Sequence, residues 1–293
     1  MRKAVQQDQE AVLKYLKKSV AECIYMYIDI LNYGVVSENV SVWLQEQNGQ
    51  IVLVVMKYFD SFQVYSHKQE IDVEQILKLL QEYPVTMISA RRDIIEQLER
   101  VCRGYRAIYG AVFDVSHVRR TFGAVAMAKP CTLKVTEAVE DDAAEITKLL
   151  CSDDTFRVNY KEDDLLRQLT ERIRTHTGRS VIIRMDDRII AHHGTFAETK
   201  GIAVVSGLVV RPEYRGLGCY ESLVSYLGGQ LMKEGKIPYA FAISDKAIRY
   251  HKAVYTQCSE YGKLVKIKTE CPCFSKAFFN VCIDVATPDI CGK

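Results

Sequence analysis

The run from Ile202 to Val210 constrains the fold more than any other segment, because it is apolar at almost every position. A strand with this pattern is buried on both faces, which is typical of parallel pairing beneath covering helices. An amphipathic helix is predicted soon after it, from Tyr220 to Glu234. The segment therefore predicts a layered architecture in which helices cover a sheet.

The rest of the second half alternates strands and helices around that run. The further predicted helices are Asp141 to Cys151, Lys161 to Thr175, and Ser244 or Asp245 to Tyr255. The further predicted strands are Ser180 to Met185, Arg188 to Phe196, Tyr239 to Ile243, Tyr261 to Thr269 and Lys276 to Ala286. A helix between two strands implies a parallel pair joined by a crossover, inside an otherwise antiparallel sheet.

The first half shows the same order of elements. Its predicted helices are Ala11 to Leu31, Asp72 to Tyr83 and Arg91 to Cys102, and its predicted strands are Val42 to Gln47, Ile51 to Tyr58, Phe62 to Ser66, Pro84 to Ser89 and Tyr105 to Val115. The segment 117–131 has no clear period, so we place one domain at 1–128 and another at 129–293. The fold class is predicted as α/β (α+β), with a mixed, mostly antiparallel sheet flanked by helices in each domain.

Composition narrows the classes of partner. The 293 residues carry 39 basic and 37 acidic side chains, a net charge of +2, so we expect neither a nucleic acid nor a membrane partner. The chain begins without the apolar run of a signal peptide and has no apolar stretch of the ~18 residues that span a bilayer, which predicts a cytoplasmic protein. The sequence leaves the oligomeric state open.

The ten cysteines are expected to be free thiols. One cluster of cysteines is a candidate zinc site: Cys271 and Cys273, followed by Cys282 and Cys291. A zinc site usually shows two tight pairs and this cluster has one, so no metal is expected.

The segment after the apolar strand, VVSGLVVRPEYRGLGCYESL over 204–223, carries the chemistry. Gly216 and Gly218 permit a tight turn and close approach of the backbone. The helix that follows offers unpaired N–H groups and the positive end of its dipole, which suit a phosphate. Arg211 and Arg215 add positive charge beside it.

This segment resembles the GNAT superfamily of acetyl-coenzyme A-dependent N-acetyltransferases. The resemblance rests on the motif Arg/Gln-x-x-Gly-x-Gly/Ala, matched here by Arg215, Gly216, Leu217, Gly218, Cys219 and Tyr220. It implies acetyl-CoA as co-substrate, with the backbone of this loop on the pyrophosphate and that of Leu208, Val209 and Val210 on the pantetheine arm and thioester oxygen. Tyr220 departs from the small residue that the family has at the last motif position.

A second resemblance lies at Ser244 to Tyr255, which is similar to the family's Asn-x-x-Ala-x-x-x-Tyr helix, with Ala247 in register. Ser244 stands at the start of this helix and is counted with the coenzyme-binding residues. The tyrosine that protonates the departing thiolate in that family falls on His251 here. We expect His251 to be the acid, with Tyr250 or Tyr255 as alternatives, or else His251 is a packed helix histidine.

An amine acceptor must lose a proton, because an alkyl ammonium has a pKa of about 10.4. His192 and His193 lie on the strand before the apolar run, and alternation directs one of them inward. Glu198 lies beside the next turn. These residues are the candidate bases, and a water chain is the alternative. Cys219 is expected to be a small apolar residue in the motif.

In the first half the matching junction, Val64 to Asp72, has no glycine and no arginine, which predicts a degenerate domain without a phosphate cradle. The expected function is transfer of acetyl from acetyl-CoA to a primary amine of a small molecule or peptide, by direct attack in a ternary complex. The alternatives are aminoacyl transfer from a charged transfer RNA on a related scaffold and a non-catalytic acyl-CoA sensor.

Overall fold

The computed structural model describes residues 1–38, 40–68, 71–117, 133–153, 156–157 and 161–267. Among them it divides into two compact units, 1–112 with 258–267 and 113–257. The boundary predicted at residue 128, the strand predicted at 276–286 and the cysteines from Cys271 onward lie outside the described residues.

The first unit consists of a sheet and the helices that flank it. Its helices are α1 (Gln9–Leu16), α2 (Ile24–Tyr33), α3 (Val73–Glu82) and α4 (Arg92–Glu99), with 3-10 turns at Gln6–Asp8 and Lys17–Glu22. Its strands are β1 (Arg2–Lys3), β2 (Val40–Gln47), β3 (Gln50–Tyr58), β4 (Ser61–Tyr65), β5 (Met87–Arg91) and most of β6 (Tyr105–Asp114).

The second unit repeats this order. Its helices are α5 (Ala143–Cys151), α6 (Glu162–Thr175), α7 (Cys219–Lys233) and α8 (Asp245–Val254), with 3-10 turns at Glu140–Asp142 and Pro212–Tyr214. Its strands are β7 (Val135–Glu137), β8 (Ser180–Met185), β9 (Arg188–Glu198), β10 (Ile202–Val210) and β11 (Ile237–Ala242). The chain then enters β12 (Thr256–Lys266).

Each unit has one parallel strand pair in an otherwise antiparallel ladder of described pairings. The first unit has the order β1-β2-β3-β4-β5-β12-β6, in which β4 and β5 are parallel. The second has the order β11-β10-β9-β8-β7, in which β10 and β11 are parallel. These mixed, mostly antiparallel sheets flanked by helices confirm the predicted fold class.

The core of the second unit lies on both faces of its sheet. On one face Leu223, Leu227 and Leu231 of α7 are fully buried against β8, β9 and β10, each stabilising the fold by about 1.5–3 kcal/mol. On the other face α5 and α6 pack on the sheet through Leu150 and Leu165, among others. Strand β10 therefore lies between two layers of helices, which explains why its sequence is apolar on both faces.

The bounds of several predicted elements differ from those in the structure. The helix predicted from Ala11 to Leu31 is interrupted at Ser19, whose φ of −149° and ψ of 65° are not helical. Apolar periodicity continues across that break because both helices pack on the same sheet, so the pattern does not reveal it. The strand predicted at Pro84 to Ser89 is Met87–Arg91, and the one predicted at Tyr261 begins at Thr256.

No helix among the described residues is both long and apolar enough to cross a bilayer. No group of three His, Cys, Asp or Glu side chains within the same residues could hold a metal ion.

Candidate active site

Two parallel strands of the second unit separate along part of their length, and the gap between their separated ends is called the cleft below. Strand β10 pairs with β11 only from Ile202↔Ile237 to Val204↔Tyr239, whereas β10 continues to Val210 and β11 to Ala242. Beyond Val204 the described pairings of β10 are those with β9 on its other side. The edge of β10 that faces β11 is therefore available to a ligand, as at the switch points of other α/β sheets.

Strand β10 also contains a bulge within this separated part. Its register with β9 moves from Ser206↔Gly194 to Val209↔His192, so Gly207 and Leu208 oppose the single residue His193. Gly207 has a φ of +69°, which a glycine adopts without the penalty of a Cβ. The bulge turns the backbone of β10 out of its regular ladder beside the cleft.

The turn between β10 and α7 has the geometry of an anion site. Gly216 and Gly218 both have positive φ, +80° and +84°, and Gly218 is the N-cap of α7. No atom lies within 4 Å of the position that a Cβ on Gly216 would take, so that backbone is open. The first N–H groups of a helix have no partner inside the helix, and the helix dipole favours negative charge there.

Two arginines are anchored at this turn. Arg211 Nε donates to Ile189 O at 2.8 Å, and Arg215 Nε donates to Val210 O at 3.3 Å. Arg215 is exposed, as is Leu217 beside it. The turn therefore combines positive charge, open glycine backbone and a helix start, and it fits a diphosphate.

The apolar residues predicted at this site are part of the core. Leu208 and Val210 pack on the α7 side of the sheet, and Val209 packs on the α5 side. Cys219 is buried, with its thiol 3.7 Å from Tyr214 O. Their side chains support the strand and the helix start, which leaves backbone groups to face a ligand.

Tyr220, which replaces a small residue of the motif, directs its hydroxyl at α8. Tyr250 donates a hydrogen bond to the Tyr220 hydroxyl at 2.9 Å, and the hydroxyls of Tyr220 and Tyr255 lie 3.4 Å apart. Burial raises the pKa of all three phenols, that of Tyr250 to about 12. The aromatic ring thus joins two helices at the end of the cleft in a cluster of three phenols.

His251 is packed inside the unit and is not suited to the acid role predicted for it. Its ring lies against Phe113 and Tyr255, and Nδ1 donates to Ala247 O at 2.8 Å. Burial lowers its pKa, so the ring is neutral at pH 7. With its one proton on Nδ1, Nε2 has none to give. Tyr250, one residue earlier, is therefore the better acid candidate.

The two predicted histidine bases are also buried and neutral. Burial lowers the pKa of His192 to about 4 and that of His193 to about 3. His192 is hydrogen bonded to Gly207 O and Ser180, and His193 Nδ1 lies 3.2 Å from Ser206 O. Groups with such low pKa values hold an abstracted proton weakly, which does not favour either as the base.

Glu198 belongs to a partly buried network of charges. It pairs with Arg179 at 2.8 Å and with Lys236 at 2.6 Å, and Thr195 donates to it as well. Burial raises its pKa, but the hydrogen bonds from these partners outweigh that effect and lower it. A carboxylate held in this way is a weak base, and its evident role is to join the ends of β9 and β11.

Ser244 occupies the predicted place at the start of α8. It is the N-cap, and its hydroxyl accepts a hydrogen bond from Ala247 N at 3.2 Å. Because Ser244 follows β11, the helix start lies at the end of the strand that borders the cleft. The turn before α7 and the N-terminus of α8 thus follow the two strands that separate.

Among the described residues of the first unit, the parallel strand pair shows no opening of this kind. Its parallel strands stay paired from Ser61↔Met87 to Val64↔Ala90, close to the end of β4. Arg91, the last residue of β5, donates to Ser66 O at 3.1 Å and Lys68 O at 3.2 Å. The guanidinium therefore joins the two strand ends that stand apart in the second unit.

Two features of the site were not predicted from the sequence. The bulge had a signal, since Ser206 and Gly207 interrupt an otherwise apolar strand, and an isolated glycine in a strand often marks a bulge. The phenol cluster had none, because Tyr220 and Tyr250 are 30 residues apart in the sequence. Only the packing of α7 beside α8 brings them together.

Comparison with known proteins agrees with this geometry. Residues 143–254 match the model of the acetyltransferase (GNAT) family. No curated protein matches the sequence of this chain.

Solved structures share the fold at low identity. A GCN5-related N-acetyltransferase-like protein from Streptococcus suis has a TM-score of 0.54 at 13% identity, covering 89% of this chain and 99% of that one. An acetyltransferase of the GNAT family from Colwellia psychrerythraea has 0.56 at 11%, covering 91% and 99%. A tandem GNAT protein from the clavulanic acid biosynthesis pathway has 0.53 at 12%, covering 91% and 96%.

At these identities the likeness is one of fold, and it extends over both units. The resemblance predicted for the second half is confirmed by the family match of residues 143–254. Residues 143–254 of the second unit thus match the acetyltransferase (GNAT) family, and the fold of the chain is similar to that of solved GNAT proteins.

Proposed function

We propose that this protein is an N-acetyltransferase that moves the acetyl group of acetyl-CoA directly to a primary amine. The observation that carries the proposal is the separation of β10 from β11 beside the glycine-bearing turn at the start of α7. A long acyl carrier with a diphosphate fits a cleft of this shape with an anion site at its end. The GNAT fold supports acyl transfer in general, and the acetyl group and the amine are part of the proposal.

The coenzyme would be held mainly by backbone groups. The turn from Arg215 to Tyr220 would take the diphosphate, and the open edge of β10 at Leu208 to Val210 would take the pantetheine arm. Ser244 and the start of α8 would border the other side. Because these contacts come from the main chain, side-chain substitutions along β10 should affect packing more than coenzyme recognition.

In the reaction the amine nitrogen attacks the thioester carbonyl, the C–N bond forms and the C–S bond breaks. The nitrogen loses one proton and the departing sulfur gains one. Tyr250 would supply the proton to the sulfur, and the Tyr220 hydroxyl could then turn its O–H to the Tyr250 oxygen. A positioned acid of this kind contributes roughly 10²- to 10⁴-fold to the rate.

The acceptor would enter as its free base. His192, His193 and Glu198 are all weak bases in this structure. Where no strong base takes the proton, the rate follows the fraction of uncharged amine. We therefore expect kcat/KM to rise with pH up to the pKa of the acceptor, near 10.4 for an alkyl amine.

The test combines calorimetry with acetyl-CoA and thiol release across a panel of amines. Wild type should bind the coenzyme and release thiol with at least one amine. Tyr250→Phe should keep binding and lose at least about 10-fold in kcat, because the ring stays while the acidic proton is removed. The matched control is Tyr226→Phe, which removes a half-buried phenol elsewhere on α7 and should leave kcat unchanged.

The outcomes separate this function from its rival. Binding without thiol release from any amine would favour an acyl-CoA sensor. The packed His251, which stands where the family has a tyrosine, agrees with that alternative. No binding at millimolar coenzyme would exclude both. An unchanged kcat in Tyr250→Phe would remove Tyr250 as the acid and leave the transfer itself intact.

A further inference from the structure

His192 is buried at the centre of the second unit, and the acid–base steps above do not use it. Its exposed fraction is 1%, and it lies on β9 directly opposite Val209. Its Nδ1 is 2.6 Å from Gly207 O, and its Nε2 is 3.0 Å from Ser180 Oγ. Because the side chain is buried and both ring nitrogens are hydrogen bonded, His192 holds the backbone beside it in one conformation.

The two hydrogen bonds determine the tautomer of the ring. A carbonyl oxygen can only accept, so Nδ1 must carry the proton and donate to Gly207 O. The neutral ring then has a bare Nε2, which accepts the hydroxyl proton of Ser180. Ser180 therefore holds His192 in the tautomer that binds the bulge.

The direction of one peptide unit follows from this bond. The carbonyl of Gly207 and the N–H of Leu208 belong to the same planar trans peptide, in which the two groups point in opposite directions. Because His192 holds the carbonyl, the Leu208 N–H points away from it. His192 lies on β9, along one edge of β10. Along the other edge of β10, the pairing with β11 has already ended before Gly207.

We propose that His192 is a positioning residue that aims the Leu208 amide into the cleft, where it can donate to the thioester oxygen. The role rests on the acyl transfer proposed above. His192 touches neither substrate and acts through the Gly207–Leu208 peptide. When the amine attacks, the carbonyl electrons move onto that oxygen, and an amide held in place beforehand stabilises the developing charge.

The packing around Gly207 supports a fixed peptide. A Cβ on Gly207 would lie 3.1 Å from His192 Cε1 and 3.2 Å from its Nδ1. The ring thus lies directly against the glycine, and Leu150 lies on the same side at 3.5 Å. Little room is left for the peptide to rotate while the ring is in place.

The test uses two variants with full-length protein. His192→Leu fills the space without a donor, and His192→Asn keeps an N–H near the position of Nδ1. We expect His192→Leu to lower kcat about 10²-fold, the usual cost of one lost oxyanion donor, with coenzyme affinity within about twofold of wild type. His192→Asn should recover much of that loss, which a merely structural role would not predict.

Two readouts by nitrogen-15 NMR do not need turnover. In wild type the His192 ring should be protonated on Nδ1. The Leu208 amide should respond to acetyl-CoA differently from CoA, because only the former carries the carbonyl, and His192→Leu should abolish that difference. The ring protonation and the wild-type comparison of the two ligands remain valid if the variant is too unstable for kinetics, because both use wild type alone.

The result that overturns the inference is distinct from failure of the proposed function. Protonation of wild-type His192 on Nε2, a Leu208 amide that responds equally to both ligands, or unchanged kcat in a folded His192→Leu protein would each overturn it. Thiol release by wild type would meanwhile leave the transferase function standing. Absence of coenzyme binding would overturn both.

Discussion

Three histidines in this unit show how burial changes what a residue can do. His192, His193 and His251 would titrate near neutral pH in solvent, yet each is buried with a ring nitrogen near a backbone carbonyl. Burial disfavours the charged form and lowers all three pKa values. The structure therefore gives them packing and hydrogen-bonding roles in place of the acid and base roles that their sequence positions predicted.

The buried histidines should make stability depend on pH. Their folded pKa values, about 4 for His192 and about 3 for His193, lie below the ordinary value near 6.5. As the pH falls below about 6.5 the unfolded chain takes up protons that the folded chain does not, so stability falls. The expected loss at pH 5 is about 2 kcal/mol per histidine.

Urea unfolding of wild type and His193→Asn at pH 7 and pH 5 checks this expectation. The variant should lose about 2 kcal/mol less than wild type between the two pH values, because it removes one titrating group. His176→Asn is the control, since His176 is exposed. Equal pH dependence in wild type and His193→Asn would mean that His193 titrates normally in the folded protein.

At the scale of elements, the turn before α7 depends on backbone conformation more than on side-chain identity. Gly216 and Gly218 both have left-handed φ values, which other residues adopt at a cost of about 1–2 kcal/mol. The open space beside Gly216 shows that this glycine is required by conformation and ligand access, not by packing. The proposed coenzyme site should thus be sensitive to one methyl group at this turn.

Gly216→Ala should weaken coenzyme binding about 10-fold or more, because alanine disfavours the left-handed turn and places a methyl group on the anion site. Calorimetry with CoA measures the loss. Gly201→Ala is the matched control, since Gly201 also has open space for a Cβ but lies in the turn before β10. Equal affinity in wild type and Gly216→Ala would show that the diphosphate does not bind at this turn.

At the scale of the whole molecule, the two units have the same order of elements, but in the part of the chain that the structure describes the parallel pair is open in the second unit alone. In the first unit Arg91 joins the ends of β4 and β5, and β12 from the far end of the sequence pairs with β5 from Tyr261↔Arg91 to Val265↔Met87. The first unit is thus completed by a strand that follows the second. Separate expression of a segment ending near residue 112 would leave β5 without that neighbour.

This asymmetry predicts one coenzyme site per chain. Calorimetric titration of the full protein with CoA should give a stoichiometry of one. Arg215→Ala should weaken that single event, because Arg215 supplies positive charge at the turn. Arg103→Ala, an exposed arginine of the first unit, should leave it unchanged. Two binding events, or one that survives equally in both variants, would place a coenzyme outside the turn before α7.

The sequence alone determined the class of fold, the order of its elements and the turn that suits a diphosphate. These follow from apolar periodicity, from glycines at a turn and from a helix start, all of which act between residues close along the chain. The position of Ser244 as a helix cap is of the same local kind.

Which side chains can take part in chemistry follows from the tertiary structure and is not visible in the local sequence. The pKa of His251, the charge network of Glu198 and the partners of Tyr220 depend on burial and on residues distant in sequence. The same holds for His192, whose bond to Gly207 spans the bulge between two strands. The protonation and hydrogen bonding of a side chain depend on the surroundings that folding creates. A local sequence pattern does not predict those surroundings.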